Sequence, residues 1–548
     1  MSKPFELKIE TAEHAETILV PASQREDRIA ELLRRQNQSL NTRCGHRGLC
    51  DGCLVELIQG ELINTATGAT VAANGHPISV RGCEHRMASG DVQLRIPPRS
   101  LLAYEPQVVT DFRINVPVAR NPLCVGEIGV AIDIGTTTVA LMIVDLTNGQ
   151  ILGRAAGFNR QMQLGDDVLT RINLCGTDPT MLKALQQHVI EETIAPLLVE
   201  ALTKAGIARE RVAGFSVAAN TTMLHLFAGV DPTLMGVAPF TPTFLEHRII
   251  PAADLRLNAM PAKPMVHLLP GAAAYVGADL TAGAFASGLI YDEGPSLLVD
   301  IGTNGEIILK LGDKMYGCAT AAGPAFEGAG LESGMRAGEG AISHIWFDSN
   351  PLAIRTEMIG QKHAGVKPIG ICGSAYIDLL ARARQAGVLT ATGRFDDSAP
   401  GAADYIMEAH RCGRALRIAY GQGKHPVIVS ERDISRLLQA KAAIAAGILT
   451  LLRRVNIAPA DVKTLYLAGG FGMHLDQQAT IACGMLPGFR PEQIQVVGNT
   501  SLAGAYLALL DGSVVAEMAR VGKNMEIIEL NLDPEFESCY VDQLSLAD

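Results

Sequence analysis

The chain has 548 residues, 48% of them hydrophobic and 19% charged, which excludes a disordered polymer and leaves room for three or four domains. Its formal net charge of −11 disfavours a nucleic-acid partner, because phosphate binding needs a basic face. Residues 1–100 carry 12 Lys+Arg and 12 Asp+Glu, so the acidic excess belongs entirely to the remainder and hints at separate modules.

Eleven cysteines, an odd number, argue against a disulfide framework. Met1-Ser2-Lys3-Pro4-Phe5-Glu6 carries no apolar signal region. No window is expected to approach the roughly 18 apolar residues of a membrane span. The sequence therefore predicts a cytoplasmic location, no membrane partner, and cysteines that act as thiols, metal ligands or redox groups.

The first predicted module, residues 1–98, holds Cys44-x5-Cys50-x2-Cys53 and, farther on, Cys83. Four thiolates, three from one loop and one from a distant segment, suit a [2Fe–2S] cluster. Gly45, Gly48, Gly52 and Gly82 let backbone N–H groups approach the sulfurs. A structural zinc would use the same four thiolates, although zinc modules usually pair two C-x-x-C knuckles and only one is present. A Rieske centre would recruit His46 and His85 but leave Cys50 and Cys53 unexplained.

A linker is predicted over 99–126, marked by Pro106, Pro117 and Pro122 with little periodicity. If flexible, the stretch of about 26 residues from Pro97 to Pro122 has an end-to-end distance of roughly 28 Å, enough for the head to move. Two larger units are expected beyond it, at 127–290 and 291–548. Gly129–Val144 reads as strand, tight turn and strand. Met181–Ala205 has helical spacing. Ser296–Leu309 repeats the strand–turn–strand theme. Ser430 is a plausible N-cap for a helix running to about Val455. Leu465–Ala468 reads as a short buried strand running into Gly469-Gly470-Phe471-Gly472. Strands alternating with helices define an α/β body.

The repeated hairpins carry the chemistry. Asp133-x-Gly135-Thr136-Thr137 and Asp300-x-Gly302-Thr303-Asn304 lie 167 residues apart. Glycine lets the backbone turn so that N–H groups face phosphate oxygens, while Thr and Asn add neutral donors. A carboxylate at the strand end can hold Mg²⁺, usually through water. Gly469, Gly470 and Gly472 can admit a nucleoside against backbone. Glu306 and Glu327 are candidate water-positioning carboxylates, with simple hairpin or loop hydrogen bonding as the alternative role. Glycines that merely turn hairpins are the alternative. There is no G-x4-G-K-[ST] loop.

These three motifs, in this order, resemble the acetate and sugar kinase/heat-shock ATPase/actin superfamily, abbreviated ASKHA, which implies a duplicated RNase H-like ATPase. The N-terminal cysteine pattern resembles a ferredoxin-type domain of β-grasp α+β fold. Fused in one chain, the two resemble the reductive activators of corrinoid proteins. Further runs look like that family's signatures: Asn159-Arg160-Gln161 with Gly165-Asp166-Asp167-Val168, Ala219-Asn220-Thr221-Thr222-Met223, and Gly277-Ala278-Asp279. Ala321–Gly328 and Gly370-Ile371-Cys372-Gly373-Ser374 complete the set. One apparent departure is that the linker runs almost directly into the first hairpin, where larger relatives are expected to carry an additional middle domain.

The resemblance implies ATP-dependent one-electron reduction of an inactive Co(II) corrinoid to Co(I) in support of methyl transfer. It implies Cys44, Cys50, Cys53 and Cys83 as cluster ligands. Asp133 and Asp300 would organise Mg²⁺ or the attacking water. It also implies a corrinoid methyl-transfer protein as partner, an upstream low-potential electron donor and a homodimer. A plant-type cluster lies near about −400 mV. Each further 100 mV uphill costs one electron about 2.3 kcal/mol, which is the expected reason for the ATPase. Two other readings stay open on the sequence: an ATP-dependent activator of a different low-potential metalloenzyme, and a redox-sensing ATPase regulator.

Overall fold

The computed structural model describes residues 4–11, 15–36, 38, 40, 53–73, 76–88, 90–97, 100, 110–114, 116, 120–257, 264–349, 352–360, 367–409, 412–421 and 426–547. In the head, strands Phe5–Glu10, Ala15–Val20, Leu54–Gln59, Ile78–Arg81 and Val92–Arg95 form one mixed sheet. Phe5–Glu10 pairs parallel with Val92–Arg95, and the other pairings are antiparallel. Leu7, Ile9, Val55, Leu57 and Leu94 alternate inward and meet Ile29, Leu32 and Leu33 of the helix Ile29–Arg35. One helix held against a mixed sheet is the β-grasp arrangement the cysteine pattern suggested.

The body repeats one path twice. In the first unit, Ile128–Ile134, Thr138–Asp145 and Ile151–Phe158 run antiparallel in sequence. Val212–Ala219 and then Met265–Leu268 add in parallel beyond the first strand. In the second unit, Ser296–Ile301, Gly305–Leu311 and Lys314–Thr320 make the same meander, and Thr464–Ala468 and Ile494–Gly498 add in parallel. In each six-stranded sheet these five strands, numbered as just named, therefore lie in the order third-second-first-fourth-fifth, the duplicated α/β architecture expected of an ASKHA body. The first strands are nearly continuous apolar runs because both faces are covered.

Late chain completes the early core. Helix Thr500–Leu510 packs with the first sheet, its Leu502, Leu507 and Leu509 sharing a core with Val130, Ile132 and Phe215. Helix Ala278–Ala286 in turn places Leu280 and Ala284 against Leu298 and Ile308 of the second sheet. The two helices cross where a Cβ on Gly504 would stand 2.7 Å from the Ala282 backbone, so only glycine fits there.

Two expectations are corrected. The described part of the linker is not a free tether. Arg113 N–H donates to Val497 O at 3.0 Å, Asn499 N–H to Asp111 O at 3.1 Å and Leu123 N–H to Leu509 O at 3.0 Å. The stretch lies on the body because it finds backbone partners beside the last parallel strand. Second, one described helix, Glu431–Arg454, is long and apolar enough to cross a membrane by length and composition. Its apolar window is 78% buried within the protein, because Ile434, Leu437, Ile444, Ile448 and Leu451 fill the second unit's core. The helix starts as expected: Ser430 Oγ accepts from Asp433 N–H at 3.1 Å, and the Asp433 carboxylate accepts from Ser430 N–H at 3.0 Å.

Candidate functional site

The two hairpin turns face each other across a cavity of about 450 Å³. Asp133, Gly135, Thr136 and Thr137 line one side, and Asp300, Gly302, Thr303, Asn304 and Glu306 the other. Glu327, Gly469 and Gly470 complete the nominated residues that reach it. Gly472 sits outside this lining and packs against Leu467. The turns meet directly, with the hydroxyls of Thr137 and Thr303 3.0 Å apart. Thr303 Oγ donates to Glu327 Oε1 at 2.6 Å. At Gly469, φ is +91°, and a Cβ would stand 2.6 Å from Asp300 Oδ1. Glycine is thus required there by both backbone and space.

Four carboxylates are buried together. Asp133 accepts from Asn499 Nδ2 at 2.8 Å and from Ser501 Oγ at 2.7 Å. Burial raises its pKa and those two donors oppose the rise. Burial pushes Asp279 up to about 7, against the Leu280 N–H bond, and the Asp133 charge adds to the rise. Asp300 is likewise pushed up to about 7 by burial and by the charges of Asp279 and Asp133. Glu306 is raised well above the usual carboxylate range by burial, Asp279 and Asp300, while Asn304 bonds to it. Several acids that cannot all ionise at neutral pH hold protons in reserve or await a cation.

The Mg²⁺ implied by the paired turns fits this donor set of hard oxygens on two strand ends. Among the described residues, no three His, Cys, Asp or Glu side chains converge to hold one ion directly. That suits Mg²⁺, which keeps several waters and takes one or two carboxylates with substrate phosphate.

A buried scaffold fixes the first turn. Arg171, fully buried, donates through Nη2 to Thr136 O at 2.5 Å, through Nε to Gly165 O at 2.9 Å and through Nη1 to Gln161 Oε1 at 2.9 Å. Asn159 Nδ2 donates to Gly135 O at 2.9 Å, and Asn220 Nδ2 to Thr136 Oγ at 3.1 Å. With its carbonyls tied back, the turn keeps a fixed shape. The Asn159–Gln161 and Ala219–Met223 runs thereby acquire a physical role.

Sequence reasoning gave no role to Asp279, Asn499, Ser501, Arg171 or Arg336. Asn499-Thr500-Ser501 does read as a helix start, and Asn499 caps its helix by accepting from Leu502 N–H at 2.8 Å. Nothing local says that the same side chain reaches Asp133. At another part of the cleft, Phe326 and Phe471 stack with centroids 5.5 Å apart. His344 Nδ1 lies 2.9 Å from the buried Asp378 Oδ2, which raises the imidazole pKa. Cys372 lines the cleft but is buried, and burial pushes its thiol up. It is not an activated nucleophile.

In the head, Leu54 pairs with Arg81, and Gly82 N–H donates to Cys53 O at 2.9 Å. The sheet register therefore brings Cys53 and Cys83 to one end of a strand pair, both fully buried. Two buried cysteines at one end of a strand pair fit a thiolate-ligated metal group. Cys44 and Cys50 lie outside the described residues.

Residues 294–548 match the C-terminal domain of RACo, described as its ASKHA domain, and residues 128–292 match the RACo middle region. The middle region is thus the first body unit itself, which corrects the expectation that a domain is missing ahead of the first hairpin. The corrinoid activation enzyme RamQ of Eubacterium limosum is 32% identical over 423 residues, 75% of this chain and 69% of its own length. The [Co(II) methylated amine-specific corrinoid protein] reductase of Methanosarcina barkeri is 24% identical over 443 residues, 76% of each chain. Among solved structures, a reductive activator for a corrinoid, iron-sulfur protein superposes with a TM-score of 0.71 at 28% identity, covering 99% of this chain and 98% of its own.

Proposed function

The chain belongs to the family of reductive activators of corrinoid proteins, and on that premise we propose how it divides the work. The head holds a [2Fe–2S] cluster on Cys44, Cys50, Cys53 and Cys83, and the body binds ATP with Mg²⁺ between the two hairpin turns. When bound, the cluster supplies one electron at low potential to the inactive Co(II) of a corrinoid methyl-transfer protein, giving Co(I). A donor of comparably low potential refills it.

The residues of this chain have separable tasks. Cys53 and Cys83 present two sulfurs from one buried edge of the head sheet. Thr136, Thr137, Thr303 and the turn amides take phosphate oxygens. Gly469 and Gly470 leave backbone open to the nucleoside. Asp133 and Asp300 orient Mg²⁺ and its waters, and the raised acids Asp279 and Glu306 are placed to take or give a proton near the attacking water. Nucleotide drives the uphill electron only if its affinity differs between two arrangements of the units. The helix crossing at Ala282 and Gly504 joins the two units and is where such a change would pivot.

One observation carries this reading: a buried cysteine pair in a β-grasp head and paired phosphate turns in a duplicated body occur in one chain. The test is direct. Iron and sulfide are assayed, the protein is reduced, and it is mixed with a Co(II) corrinoid protein, with and without ATP. An ATP-dependent Co(I) absorption band is expected, together with loss of the visible cluster spectrum in Cys53→Ser. Zinc in place of iron, or no Co(I) band with any corrinoid partner, would overturn the proposal.

A further inference from the structure

As built, the cleft is a poor host for a polyanion. Among the described residues, six carboxylates line it against a single guanidinium, Arg336. This arginine belongs to the second unit but reaches across to the first. Its guanidinium carbon lies 4.5 Å from the centroid of the Phe158 ring, and Nη2 is 3.9 Å from Met162 Sδ. The same nitrogen is 3.4 Å from Glu327 Oε2. The other oxygen of Glu327 accepts from Thr303, whose hydroxyl meets that of Thr137. A continuous chain thus runs from the first turn to the second, through Glu327 to Arg336, and back onto the first unit.

This chain has a consequence for phosphate. Two hydroxyls 3.0 Å apart leave no space for a phosphate between the turns, so a terminal phosphate entering there must part them. Once parted, each hydroxyl has a phosphate oxygen to donate to, and Thr303 leaves Glu327. The incoming charge then competes with Glu327 for the Arg336 guanidinium. An arginine fork matches phosphate at least as well as carboxylate.

We propose that Arg336 is the ligand of the terminal phosphate of ATP, held by Glu327 in the nucleotide-free protein and handed over when the Thr137–Thr303 contact opens. The proposal rests on the ATP reading of the cleft and deepens it. Arg336 becomes the residue that tells a triphosphate from a diphosphate. Because it also lies on Phe158, its transfer changes a contact between the two units.

The experiment is equilibrium binding of Mg·ATP and Mg·ADP to the full-length protein, to Arg336→Gln and to Arg336→Lys, with thermal melting as a folding control. A charge-assisted hydrogen bond is worth enough to lower ATP affinity about tenfold to a hundredfold in Arg336→Gln. ADP affinity is expected to stay within about twofold, and Arg336→Lys to recover part of the ATP loss. Glu327→Gln, which releases the arginine, is expected to tighten ATP relative to ADP. Equal weakening of ATP and ADP would assign Arg336 a packing role only, and unchanged ATP affinity would remove it from the site; either result overturns the proposal. If the wild-type protein bound neither nucleotide, the ATP reading would fail first and this inference with it.

Discussion

Ile128–Asp145 and Ser296–Leu311 follow one path through strand, turn and strand, yet the carboxylates at their first strand ends meet different surroundings. Asp133 is gripped by two neutral donors, Asn499 and Ser501, which arrive from the far end of the chain. Asp300 faces other acids instead, and burial with the charges of Asp279 and Asp133 brings it up to about 7. Duplication has therefore preserved the backbone but not the electrostatics. Burial raises both carboxylates; two donors oppose the rise at Asp133, whereas neighbouring charges add to it at Asp300 and leave that acid close to a proton. Neutral donors at one carboxylate and like charges at the other act in opposite directions on two acids that serve the same cation. Each copy is tuned by the other half of the body: Asn499 follows the second sheet's last parallel strand, and Asp279 lies on a helix that follows the first sheet.

The contrast is broken most forcefully by Asp133→Asn against Asp300→Asn. In the first variant an amide meets the Asn499 amide and the metal loses a fixed charge. Partner-stimulated ATP turnover should fall by about a hundredfold or more. In the second, the amide mimics the protonated acid already present near neutrality. The loss should be about tenfold at pH 7 and smaller below it. Steady-state turnover at several pH values checks this. Equal losses at every pH would mean that the two carboxylates do the same job.

The raised acids also predict how stability follows pH. Asp279 and Asp300 titrate near 4 when exposed and at about 7 in the folded protein. The folded state binds more protons between those values, so their contribution to stability is complete below about pH 4 and is lost as pH rises through about 7. Without metal or nucleotide, the melting temperature should fall between about pH 4 and about pH 7 and level off above that, and Asp300→Asn should flatten that fall. Mg²⁺ with nucleotide should restore more stability at the alkaline end, because it binds the ionised acids. A wild-type slope unchanged by Asp300→Asn would disprove the assignment.

Much of this was legible in the sequence, for local reasons. The hairpins announce themselves because strand, glycine turn and strand lie within about twenty residues, and Ser430 with Asp433 forms a capping pair that any reader of helices would find. Glycine at 469 stood out because it ends a buried strand. What stayed hidden is what long-range packing decides. Asn499 reads as an N-cap, but its bond to Asp133 spans 366 residues. Asp279 sat in a recognisable run without a role, because only the crossing of its helix toward the second sheet delivers it to the acids. Glu431–Arg454 was legible as a helix, but that its length and apolar composition would pass for a membrane span was not anticipated, and its buried neighbours account for the apolar run. The proline-rich segment before residue 126 looked like tether because backbone pairing to a distant strand leaves no mark on side-chain pattern.

The smallest expected effect is also the sharpest probe of why the two copies differ. Ser501→Ala removes one of the two donors to Asp133 and leaves the cap of helix Thr500–Leu510 intact, since Asn499 supplies it. The stability cost should be about 1 kcal/mol, the scale of one hydrogen bond. Asn499→Ala should cost about that much again, because it loses the cap as well as the donor. Stability alone would not separate tuning from packing. The direction of the pH response does. Losing the Ser501 donor lets burial raise Asp133 further, so the acid limb of ATP turnover should move to higher pH. Turnover well above that limb should change only a few-fold. An acid limb that stays in place would mean that Asp133 does not set it, and that the neutral grip on the first hairpin is architecture rather than the source of its different chemistry.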